Sequence, residues 1–111
     1  MFIAMNRFKV VPDATTEFEQ VWLGRDSQLG EMEGFVEFQL LRGPTYEDHV
    51  LYASHTVWAS KSAFEAWTRS EEFRRAHARA DNKTGESLYL GHPKFEGFEV
   101  ILTERKSSAA A

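Results

Sequence analysis

Cysteine is absent from the 111 residues, so disulfides, thiolate metal sites and cysteine nucleophiles are all excluded and packing alone must hold the chain together. That suits a reducing cytoplasm, which is the expected location. No apolar window approaches the length of a membrane span, and the N-terminus MFIAMNRFKV alternates apolar and polar residues instead of placing a basic stretch before a continuous apolar run. Membrane insertion is therefore not expected. Positive charge is also scarce. Against 17 Asp and Glu stand 13 Lys and Arg, a net charge of −4, and nucleic-acid binding rests on cations neutralising phosphates. No GxSxG, HExxH or glycine-rich phosphate loop occurs, which removes the common hydrolase and nucleotide-binding motifs. What the chain does have is aromatic area. Phe, Trp and Tyr make up 14% of it, a large share for one modest core that removes roughly two-thirds of the unfolded chain's surface from water.

Residues 2 to 10 alternate as a strand does, with Phe2, Ala4, Asn6, Phe8 and Val10 on one face and Ile3, Met5, Arg7 and Lys9 on the other. After a turn at Pro12 and Asp13, residues 15 to 30 (TTEFEQVWLGRDSQLG) place Phe18, Val21, Trp22 and Arg25 at helical spacing, with Gly30 near the end. Residues 34 to 42 and 49 to 58 are β-rich, and the turn chemistry of Gly43, Pro44 and Asp48 between them predicts an antiparallel hairpin. Ser60 or Ser62 can cap a second helix, Ser62 having Glu65 at capping-box spacing. A further capping signal comes at Ser70, ahead of Glu71, Glu72 and Phe73, so this helix is expected to bend or restart there. Residues 81 to 93 read as a loop, 95 to 105 as a last strand, and 106 to 111 as a flexible tail.

The order β-α-β-β-α-β predicts an α+β, ferredoxin-like domain over residues 1 to 105. Its four-stranded antiparallel sheet would carry both helices on one face. The other face then needs a cover, and a second copy packed against it would form a dimeric α+β barrel.

Three residues stand out as candidates for chemistry. Asn6 lies on the otherwise apolar face of the first strand, where an unpaired amide would cost about 1 to 3 kcal/mol. Either neighbouring groups satisfy it or it faces a ligand. His77 shares a helix face with Phe73, Ala76 and Ala80, whose small alanines would let a flat group approach. A histidine in such a place is more often a satisfied core residue than a ligand. His49, His55 and His92 form no paired metal-ligand spacing with it, so a metal held there would already be held by something else, as porphyrin holds iron. Trp67 lies three residues after Phe64, the pattern of a core stripe. Ten residues of straight helix span about 15 Å, so Trp67 and His77 border one flat ligand only if the helix breaks near Ser70. Trp22 and Trp58 read as core, and Glu31, Glu33, Glu71 and Glu72 as solvated or helix-terminal acids.

The stretch TVWASKSAFEAWTRSEEFRRAH, residues 56 to 77, resembles the signature region of the IsdG-type haem-degrading monooxygenases, within the wider antibiotic biosynthesis monooxygenase superfamily. The likeness extends to AMNRF at residues 4 to 8 and to Gly34-Phe35 opening the second strand. The run TVW, SK, AF and W is shared across the superfamily, whereas Asn, Trp and His together mark the haem-degrading branch, and here they stand as Asn6, Trp67 and His77.

The resemblance implies that His77 is the proximal iron ligand, that Asn6 donates a hydrogen bond to iron-bound oxygen or hydroperoxide, and that Trp67 presses on the porphyrin and buckles it. Haem would be both cofactor and substrate. With molecular oxygen and an external electron donor the ring would open, releasing iron and a bilin-type tetrapyrrole for iron acquisition. A homodimer with one haem per subunit is the implied assembly. Arg25, Arg74, Arg79 and Lys83 are available to meet the haem propionates. The rival readings are a cofactor-independent monooxygenase acting on a quinol in the same fold, a carrier that holds haem without destroying it, and a structural or sensing module with an empty pocket.

Overall fold

The structure, a computed structural model, describes residues 1–25, 28–70, 73 and 88–106. Its elements run β1 (Phe2–Val10), α1 (Thr15–Leu23), β2 (Phe35–Thr45), β3 (Val50–Trp58), α2 (Lys61–Thr68) and β4 (Tyr89–Glu99), with short 3-10 turns at Pro12–Ala14 and Leu29–Glu31. The strands form one antiparallel sheet in the order β2-β3-β1-β4. This is the ferredoxin-like α+β arrangement. No helix among the described residues is long and apolar enough to cross a membrane.

The alternation along β1 sets which face is inside. Phe2, Ala4, Phe8 and Val10 are buried beneath the helices, while Arg7 and Lys9 on the opposite face are exposed. In register, Phe2 lies opposite Trp58, Asn6 opposite Ser54, Phe8 opposite Tyr52 and Val10 opposite Val50, so β3 contributes its matching residues to the same face. The interior divides into two apolar clusters along the sheet. One gathers Phe2, Ala4, Leu29, Trp58 and Trp67. The other gathers Phe8, Val10, Phe18, Val50 and Tyr52. Between them, on the same strand face, comes the Asn6–Ser54 pair.

Capping shapes the helices locally. Ser60, and not Ser62, caps α2, its extended backbone letting Oγ accept from the Ala63 N–H at 3.1 Å. Gly34 makes the entry to β2. Its φ is +82°, and a Cβ built on it would stand 2.4 Å from the Ala63 Cβ, so only glycine permits β2 and α2 to approach this closely.

Three sequence expectations on element bounds are corrected. α1 stops at Leu23 instead of running to Gly30, because the chain turns at Gly24, whose N–H bonds back to the Gln20 carbonyl at 3.0 Å. β2 continues through Gly43 and Pro44 to Thr45, which the sheet tolerates because β2 is an edge strand with a register shift between Arg42 and Thr45. β4 spans Tyr89–Glu99 instead of 95 to 105. Pro93 again sits on an edge strand, and Glu99 already pairs with Phe2 at the start of β1, leaving residues 101 to 106 no strand to pair with. Ile101 and Leu102 are consequently exposed.

Candidate active site

A cavity of about 380 Å³ opens over the gap between the two core clusters, a size within the range of small-molecule sites. Sheet residues make its floor. Ala4 and Asn6 come from β1, Ser54, Thr56 and Trp58 from β3, Phe38 from β2 and Phe95 from β4. Phe64, Trp67 and Thr68 of α2, with Phe73 beyond it, close one side, and Trp22 and Arg25 at the end of α1 close the other.

The walls are built of rings. Trp22 stacks on Phe38 at 5.6 Å between centroids with planes 14° apart, and Phe64 stacks on Phe95 at 5.6 Å and 7°. The Arg25 guanidinium lies 4.3 Å from the centre of the Trp22 ring, so cation, indole and phenyl form one pile along the cavity edge. Burial draws the Arg25 pKa below its ordinary value, yet a guanidinium starts so high that it stays charged. Among the described residues the cavity therefore offers flat apolar surfaces with one cation at their border.

The side of the cavity formed by Trp67 depends on how α2 ends. Ser70 Oγ donates to the Trp67 carbonyl at 2.6 Å and accepts from the Phe73 N–H at 3.1 Å. One hydroxyl thus closes α2 and caps the segment entering Phe73, which is the break expected at Ser70. Phe73 is thereby brought edge-on to Trp67, with ring centroids 5.5 Å apart and planes at 86°. Trp67 is only 5% exposed but remains part of the cavity wall.

Two of the three residues singled out in the sequence, Asn6 and Trp67, thus border one cavity. His77 lies outside the described residues, as do Arg74, Arg79 and Lys83. Among the described residues no group of three or more His, Asp or Glu gathers as a metal site. Trp22 and Trp58 do pack in the core as expected, but both also line the cavity, which spacing within their own segments could not reveal. Ser54 and Thr56 went unnoticed in the sequence. Their signal is register, since pairing the two strands sets Ser54 against Asn6 and Thr56 against Ala4.

The antibiotic biosynthesis monooxygenase family matches residues 1–79. A heme oxygenase (staphylobilin-producing) from Staphylococcus haemolyticus is 26% identical over 88 residues, 78% of this chain and 83% of its own. The heme-degrader MhuD from Mycobacterium tuberculosis, solved with two hemes bound in its active site, is 27% identical and superimposes with a TM-score of 0.71 over 95% of this chain and 100% of its own. SnoaB from Streptomyces nogalater, a cofactor-independent oxygenase, shares the fold with a TM-score of 0.69 at 22% identity, over 95% of this chain and 97% of its own. With a family match over most of its length and the sheet, helices and cavity described above, the chain belongs to the antibiotic biosynthesis monooxygenase family.

Proposed function

We propose that this protein is a haem-degrading monooxygenase. The observation that carries the reading is that Asn6 and Trp67, far apart in sequence, face one aromatic-lined cavity whose wall turns at Ser70. A porphyrin is flat and apolar with acidic substituents at one edge, and the cavity answers each property. Its stacked rings offer flat apolar contact, and Arg25 offers a cation at the border. The residues present therefore fit haem. The haem oxygenase and heme-degrader relatives support the same ligand class.

Haem, when bound, supplies both the iron that engages molecular oxygen and the ring that is opened, with an external donor providing electrons. The protein's share is position. His77 would hold the iron through a neutral imidazole nitrogen. Asn6, lining the cavity from the interior face of β1, would offer its amide to the bound haem from a backbone paired on both sides. Trp67 is held by contact with Trp58 and Phe73, so it would press on a bound ring instead of yielding to it. A second copy of the chain covers the outer sheet face, where Ile3 and Met5 are only partly buried and Leu41 and Phe98 are exposed.

The reading is tested by incubating haemin-loaded protein with oxygen, an electron donor and catalase. Loss of the Soret band with release of ferrous iron and an open-chain tetrapyrrole is expected. A band that persists would leave a haem carrier. One observation favours a second reading, a quinol monooxygenase that needs no haem, because Asn6, Ser54 and Thr56 could equally hydrogen-bond a phenolic oxygen. That enzyme would take up no haemin and would consume oxygen with a quinol alone.

A further inference from the structure

Across the middle of the interior sheet face, the paired residues read Leu40, Ser54, Asn6 and Phe95 from one edge strand to the other. Two polar groups stand side by side, closed off by apolar residues at both ends. Ser54 is only 5% exposed, yet it lines the cavity. Among the described residues neither its hydroxyl nor the Asn6 amide has a hydrogen-bond partner. Among the described residues the buried polar side-chain atoms without a partner are His55 Nδ1 and Trp58 Nε1, so the Ser54 hydroxyl still opens to the cavity. The hydroxyl is thus placed where something entering the cavity can engage it.

Residues directly opposite in an antiparallel pair hold their Cβ atoms about 4.5 to 5.5 Å apart. An amide from one strand and a hydroxyl from the other can therefore converge on a single small atom lying over the floor. We propose that Ser54 is a second hydrogen-bond donor of the site, acting beside Asn6 on the same oxygen-bearing group. The inference rests on the haem reading for the identity of the occupant. The two donors differ in kind. The amide donates from a fixed direction and accepts only through its other end, whereas the hydroxyl turns about its bond and can donate and accept at one atom. Asn6 sets direction, and Ser54 adapts as the charge on the shared oxygen grows.

The test uses the full chain loaded with haemin, comparing the unmodified protein with Ser54→Ala, Ser54→Thr and Asn6→Ala. Two readouts independent of turnover are the C–O stretch of the ferrous carbon monoxide adduct and fluoride affinity in the ferric state. With an unchanged Soret band, Ser54→Ala is expected to raise the stretch and to weaken fluoride by roughly 2- to 13-fold, the equivalent of one net hydrogen bond. Ser54→Thr, which keeps a hydroxyl, should return both toward the starting values. If Ser54→Ala matches the unmodified protein in both while Asn6→Ala shifts them, Ser54 is no donor and the proposal is overturned. Unmodified protein that takes up no haemin overturns the haem reading and this proposal together, a result visible before any variant is made.

Discussion

Ser70 and Trp67 are joined twice, by the Ser70 N–H to the Trp67 carbonyl at 3.0 Å and by the Ser70 hydroxyl to the same oxygen at 2.6 Å. The hydroxyl oxygen also receives the Phe73 N–H, so a single side chain both ends the helix carrying the tryptophan and begins the segment that leads toward His77. Removing it in Ser70→Ala leaves the backbone bond to Trp67 but strips the cap from Phe73. A loss of about 0.5 to 2 kcal/mol is expected. Thermal denaturation should show it as a melting point lower by about 4 to 8 °C per kcal/mol, and an unaltered melting point would mean that the break does not depend on this hydroxyl.

Gly34 opens β2 where the chain has no room for a side chain. Gly34→Ala must accept a left-handed backbone, about 1 to 2 kcal/mol, and a collision with Ala63 that adds about 1 to 3 kcal/mol. Repeating the change in an Ala63→Gly background should remove the collision and leave only the backbone part. Equal losses in the two backgrounds, measured by urea unfolding, would contradict the close approach of β2 and α2.

Tyr52 is buried in the second core cluster and donates its hydroxyl to Glu19, which Arg42 also holds at 3.1 Å. Burial, then the Glu19 hydrogen bond, pushes its pKa from 10.0 up to about 12. As pH rises between those values the unfolded chain releases the phenolic proton and the folded chain keeps it, so the unfolded state binds fewer protons and stability falls. Below pH 10 the contribution is fully present. Unfolding free energy followed across that alkaline window should fall more steeply in the unmodified protein than in Tyr52→Phe, and parallel curves would count against the buried phenol.

Several of these features are legible in the chain itself, and the rest are hidden for a physical reason. The alternation along residues 2 to 10 marks Asn6 as an interior polar group because strand periodicity needs no knowledge of the partner strand. The second cap at Ser70 is legible because capping is a local event. Apart from the early end of α1 at Gly24, the misplaced bounds belong to elements that depend on partners. The apolar residues 100 to 102 look like strand, but β4 ends where β1 begins, and Pro93 looks like loop although an edge strand accepts it. Ser54 is missed for the same reason. Nothing within HVLYASHTVW distinguishes it until the strand is laid against Asn6.

The haem reading turns on one imidazole, from His77, binding the iron of a haem taken up in the cavity that Asn6 and Trp67 border. Haemin titrated into the unmodified protein and into His77→Ala, with the Soret band followed in each, puts that bond to the test. A saturable shift of the band is expected in the unmodified protein, lost in the variant while the variant remains folded. A band that shifts identically in both, or in neither, contradicts it.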